Sequence, residues 1–129
     1  MPHRSLLVVD DDAGMVETLA DILGATGYTV ATALSGEAAV AMVRSTRYDA
    51  ALMDIQMPGM NGVEALEAFR PFAPDLPVFF MTAFMKDELA VRAHRGAVAV
   101  LSKPLNVLGL LTLIDETIWR RPGRVDEGQ

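Results

Sequence analysis

Residues 48–62 read YDAALMDIQMPGMNG. The apolar run at 50–53 predicts a strand buried on both faces, as in a parallel sheet. It delivers one carboxylate, Asp54, to its C-terminal end, where a loop with Pro58, Gly59, Asn61 and Gly62 begins. A bare buried carboxylate is strongly disfavoured, so Asp54 requires water, a metal or a cation beside it. In open α/β sheets the carboxyl ends of the strands are where ligands bind. The rest of the chain is read for what gathers around Asp54.

Residues 6–9 form a second continuously apolar run, ending in Asp10, Asp11 and Asp12. Helical spacing follows, with Val16, Leu19, Ala20 and Leu23 on one face. Gly24 and Gly27 are expected to close that helix. Residues 28–33 read as a β-branched strand, and Ser35 as the cap of a helix with Ala39, Met42 and Val43 inward. Val63, Leu66 and Phe69 mark a helix starting near Asn61, and Pro71, Pro74 and Pro77 force a loop after it. Residues 78–81 predict a strand ending at Thr82, residues 86–95 a weaker helix, and residues 98–101 a strand ending at Ser102, Lys103 and Pro104. A last helix covers about 106–120, with Val107, Leu111, Ile114 and Ile118 inward. Leu110, Leu113 and Trp119 lie off that stripe, and either widen the core face or form a partner surface.

Five strands alternating with five helices through short loops imply an α/β fold, a parallel sheet covered on both sides. The strand ends then bring Asp10, Asp11, Asp54, Thr82 and Lys103 to one edge. With 129 residues there is room for one domain and a real core, expected over residues 1–120, followed by a polar tail or linker stub at 121–129. That tail is compatible with a complete single-domain protein and with a domain cut from a longer chain. The half-apolar composition excludes a disordered chain. The net charge of −6 argues against direct nucleic-acid binding, and the lack of cysteine removes disulfides and thiolate metal sites. No apolar run approaches the ~20 residues that span a bilayer, and no cationic-then-apolar signal segment precedes Leu6. A cytoplasmic domain with no membrane contact is the expectation.

Carboxylates converging on one point repel each other unless a cation joins them. Only oxygen ligands are offered, which favours Mg²⁺, with Mn²⁺ as a substitute, over Zn²⁺. Three carboxylates, Asp10, Asp11 and Asp54, balance a divalent ion plus the Lys103 ammonium. Asp54 can then act as a nucleophile toward phosphorus, with Lys103 and the Thr82 hydroxyl facing the new phosphoryl oxygens. Met53, Met57, Met60 and Met81 are read as packing, and His3 and His94 as exposed residues without a ligand role.

The stretches LLVVDDD, ALMDIQMPGMNG, FFMTA and LSKP, in this order at strand ends, resemble the receiver domain of two-component response regulators. The resemblance covers about residues 5–120. It implies a flavodoxin-like (βα)5 three-layer sandwich with strand order 2-1-3-4-5. It also implies a Mg²⁺-dependent phosphoryl acceptor, Asp54, served by a sensor histidine kinase or phosphotransfer protein, with self-phosphorylation and slow autodephosphorylation but no conventional enzyme activity. Asp11 would hold the metal directly, Asp10 largely through water, and Gln56 through its backbone carbonyl. Thr82 and Lys103 would contact the phosphoryl group, and Lys103–Pro104 would be a cis peptide. Gln56 and Phe84 stand where receivers tune loss of phosphate. A homodimer or output partner would use the face of the fourth helix, fifth strand and fifth helix.

One departure from the family pattern is Val100, three positions before Lys103, where receivers usually carry an aromatic ring. Valine cannot perform the ring movement that accompanies the threonine shift. The loop after Thr82 is therefore expected to carry the activating change, with Phe84 or Met85 changing burial. Two rival classes remain. The first is a metal-dependent aspartyl-nucleophile phosphohydrolase, suggested by the Asp10-x-Asp12 pair but opposed by Gly14 and by the little room for a cap. The second is a flavin-binding flavodoxin-like protein, opposed by a first loop poor in Ser, Thr and Gly.

Overall fold

The computed structural model describes residues 4–120, so the expectations for a tail at 121–129 and for His3 fall outside the described residues. Among those described, strands β1 (Ser5–Val9), β2 (Thr29–Ala33), β3 (Ala50–Asp54), β4 (Val78–Thr82) and β5 (Ala99–Ser102) alternate with five helices. These are α1 (Ala13–Ala25), α2 (Gly36–Ser45), α3 (Gly62–Phe69), α4 (Glu88–Ala93) and α5 (Val107–Arg120). The strands pair in parallel in the order β2-β1-β3-β4-β5, the flavodoxin-like arrangement.

Side chains alternate across a strand, and each face of this sheet carries its own layer of helices. Leu7, Val9, Ala51, Met53, Val78 and Phe80 pack with Ala39 and Val43 of α2, Val63, Leu66 and Phe69 of α3, and Ala90 and Ala93 of α4. Leu6, Val8, Ala50, Leu52, Phe79 and Met81 pack with Val16, Leu19 and Leu23 of α1 and with Leu110, Ile114 and Ile118 of α5. Strands serving two cores have no polar face, which is why β1, β3 and β4 read as unbroken apolar runs. Register aligns their ends: Val9 pairs with Met53, Asp54 with Met81 and Thr82 with Ser102. That alignment builds the functional edge.

Local chemistry sets the helix ends. Asp12 caps α1 by accepting from Met15 N–H, Ser35 caps α2, and Asn61 with Glu64 forms a capping box on α3. Arg70 at the end of α3 donates to the carbonyls of Ala73 at 3.0 Å, Leu76 at 2.7 Å and Gly96 at 2.9 Å. It thereby ties the loops leading into β4 and β5 together. At the same edge of the sheet, the Arg4 guanidinium stacks 4.1 Å from the Trp119 ring centroid, and the Tyr28 hydroxyl donates to Asp115. Both contacts fix the last turns of α5 to the start of the sheet.

Several boundaries differ from the sequence expectation. Gly24 lies inside α1, and the turn falls instead to Gly27, whose φ of +105° suits glycine. The weak helix at 86–95 shrinks to Glu88–Ala93, because Asp87 takes extended backbone angles and caps it. In α5 the buried positions are Leu110, Ile114 and Ile118, while Val107 and Leu111 are only half-buried. Leu110 therefore belongs to the core, and Leu113 packs against it. His94 is exposed, its Nδ1 lying 2.9 Å from the carbonyl oxygen of Ala90, and Met53, Met57, Met60 and Met81 are packing residues.

Candidate functional site

The C-terminal ends of β1, β3, β4 and β5 deliver Asp10, Asp54, Thr82 and Lys103 to one edge, with Asp11 in the loop after β1. One carboxylate oxygen from each of Asp10, Asp11 and Asp54 lies within 4.8 Å of the other two. Asp10 and Asp54 are buried, whereas Asp11 is exposed and open to solvent. Lys103 Nζ spans the gap, 2.9 Å from Asp10 Oδ2 and 3.4 Å from Asp54 Oδ1. Asp10 is held by a second bond, its Oδ1 accepting from Asp12 N–H at 3.0 Å. The Lys103–Pro104 peptide is cis.

Burial pushes the Asp54 carboxyl up to about 6; the Asp10 charge adds to the shift, and Lys103 offsets it only in part. Burial alone would lower Lys103, but its contacts with Asp10 and Asp54 outweigh that and raise it. One ammonium thus leaves the carboxylates under-compensated. The donor set is all oxygen, with no imidazole or thiolate in the cluster, and it fits a hard divalent ion such as Mg²⁺.

The backbone beneath Asp54 is tightly shaped. Gly62 N–H donates to Ile55 O at 2.8 Å, and a Cβ on Gly62 would stand 2.4 Å from the Asp54 carbonyl oxygen. Only glycine lets the start of α3 approach the end of β3 this closely.

Thr82 is fully buried, and its hydroxyl donates to Gln56 Oε1 at 3.1 Å. Gln56 Nε2 in turn donates to Asp87 Oδ2 at 3.1 Å. A helix expected over 86–95 gives Asp87 no part in the site, although the Asp-Glu-Leu start of α4 is itself a capping signal. Asp12 caps α1 rather than joining the acid cluster, which removes one member of the Asp10-x-Asp12 pair. Val100 is buried beside Phe80 in β5, whereas Phe84 and Met85 are exposed.

A parallel sheet covered on both faces, holding paired acids and a lysine at its carboxyl edge, defines a flavodoxin-like domain built around an acidic pocket. The response regulator receiver domain family matches residues 6–115, and the chain belongs to that family. It is 40% identical to a response regulator receiver protein of Anaeromyxobacter sp. (strain Fw109-5), over 85% of this chain and 47% of that protein. A CheY-like receiver domain from Methanospirillum hungatei JF-1 superposes with a TM-score of 0.85 at 30% identity, covering 91% of this chain and 94% of that one. The Thermotoga maritima response regulator TrrA, solved in complex with Mg²⁺ and BeF, superposes with a TM-score of 0.77 at 29% identity, covering 88% of this chain and 97% of that one. The chain spans about a quarter to a half of the length of the Anaeromyxobacter protein and other curated relatives it matches. Among the described residues, no helix is long and apolar enough to cross a membrane.

Proposed function

We propose that this receiver domain is a phosphorylation-driven signalling module whose acceptor is Asp54. The observation that carries the reading is Lys103 Nζ bridging Asp10 at 2.9 Å and Asp54 at 3.4 Å beside a three-carboxylate cluster. A sensor histidine kinase or phosphotransfer protein presents a phosphohistidine. One Asp54 oxygen attacks phosphorus, the P–N bond breaks, and its electron pair stays on the imidazole, which picks up a proton from solvent. Lys103 steadies the charge that collects on the phosphoryl oxygens, and the Thr82 hydroxyl donates to one of them. Asp10, Asp11, Asp54 and the Gln56 carbonyl would hold Mg²⁺ (or Mn²⁺), which supplies further charge neutralisation. The metal bound by TrrA in its Mg²⁺–BeF complex supports that assignment.

The modified domain shifts a conformational equilibrium that an output domain or partner reads. Val91, Val98 and Leu108 are exposed on α4, just before β5 and on α5, which supports a homodimer or output contact across that face. Phe84, exposed beside the site, shields the acyl phosphate from water. The location is the cytoplasm, where kinase domains of sensors operate.

Intact mass after incubation with acetyl phosphate and Mg²⁺ tests the reading. A single phosphoryl adduct is expected, lost in Asp54→Ala. Multiple turnover of phosphomonoesters that disappears in Asp10→Asn would favour the phosphohydrolase instead. The capping role of Asp12 counts against that rival.

A further inference from the structure

The hydrogen bonds around Thr82 form a directed chain. Phe84 N–H donates to Thr82 Oγ1 at 2.9 Å, and Thr82 Oγ1 donates to Gln56 Oε1 at 3.1 Å. Gln56 Nε2 donates to Asp87 Oδ2 at 3.1 Å, while Asp87 Oδ1 accepts from Leu89 N–H at 3.0 Å and caps α4. The directions are forced. A carboxylate has no proton to give, so Asp87 fixes the Gln56 amide with its NH₂ toward α4. The amide oxygen must then face Thr82, and Thr82 must be the donor. The one hydroxyl proton of Thr82 is already committed.

We infer that Gln56 is a positioning residue that withholds the Thr82 proton from the phosphoryl group and so sets the balance between resting and phosphorylated conformations. The inference rests on the reading of Asp54 given above. A phosphoryl oxygen only accepts, so Thr82 can serve it only by releasing Gln56. That release leaves Gln56 Oε1 without its donor, and because the same amide holds the Asp87 cap through Nε2, any turn of Gln56 to regain a donor pulls on the start of α4. The event at the acid cluster is thereby felt at α4 without any aromatic ring at position 100.

The test is the affinity of the whole chain for beryllofluoride with Mg²⁺, measured by calorimetry on wild type, Gln56→Met and Asp87→Asn. Gln56→Met keeps the backbone carbonyl and the side-chain length but removes the acceptor. Asp87→Asn needs its single oxygen for Leu89 N–H, so its NH₂ turns toward residue 56. The Gln56 amide then flips, and Thr82 becomes an acceptor with a free proton. Both variants are expected to bind on the order of fivefold more tightly, the equilibrium worth of one neutral hydrogen bond. The double variant should bind no more tightly than Gln56→Met alone, because Asp87 acts through Gln56. Simple structural damage would weaken binding, not tighten it.

Unchanged or weaker binding in either folded variant overturns the inference and leaves the role of Asp54 standing. No binding by the wild type overturns both. Should a variant fail to fold, the side-chain amide resonances of Gln56 in the wild type decide. They must move when beryllofluoride is added, and fixed resonances overturn the inference.

Discussion

Asp54 combines burial with a neighbouring like charge, and its carboxyl rises from the ordinary 3.8 to about 6. Between those values the ion-free folded domain holds this proton more tightly than the unfolded chain. The contribution to stability is therefore complete below about pH 4 and is lost as pH climbs through about 6. At about 1.4 kcal/mol per pH unit, the full swing is at most roughly 3 kcal/mol. Asp54→Asn should abolish it: urea unfolding in EDTA should find the variant more stable than wild type near neutral pH, by about 1–3 kcal/mol, and no more stable near pH 4. Profiles that run parallel across that range would refute burial as the cause. The acids and Lys103 were legible in the sequence because each follows an apolar run that could only be a strand. Asp87 was not, since its task depends on a glutamine distant in the chain and close only in space.

At the level of the element, α5 shows where periodicity runs out. Val107, Leu108, Leu110, Leu111 and Leu113 crowd two turns with apolar side chains, so several faces have nearly equal claims to be the inner one. Packing on β1, β3 and β4 selects the face through Leu110, which is 3% exposed. Leu110→Ala is expected to cost about 3 kcal/mol, and Leu111→Ala, at a half-buried position, about 1 kcal/mol. The reverse order in urea denaturation would restore the stripe read from spacing. The shortening of α4 has a different cause. An aspartate whose carboxylate takes the Leu89 N–H starts a helix where residues 86–87 would otherwise have extended it.

Across the whole molecule, the folded state alone assembles the acid cluster, so any ion bound there stabilises the fold by mass action. Mg²⁺ at about a hundredfold above its dissociation constant should add about 2.7 kcal/mol. Thermal unfolding should show the midpoint rising with Mg²⁺, with much less of the rise in Asp11→Asn and none from added NaCl; a midpoint indifferent to Mg²⁺ would argue against the cluster as a metal site. Residue types and their order along the chain determined the alternation of strands and helices, the two-sided burial of β1, β3 and β4, and which acids and which lysine stand at strand ends, because these follow from local periodicity and from turn chemistry. Tertiary structure alone decided which face of α5 turns inward, that Lys103 closes on both Asp10 and Asp54, and that Asp12 is a cap and no part of the cluster. It alone showed that Gly62 must lack a Cβ and that Thr82 is bonded to Gln56. The Asp12 cap and the Gly62 approach are local in sequence but depend on the exact path of the loops after β1 and β3. The others are contacts between segments far apart in sequence, which exist only once strand order and register have brought them together.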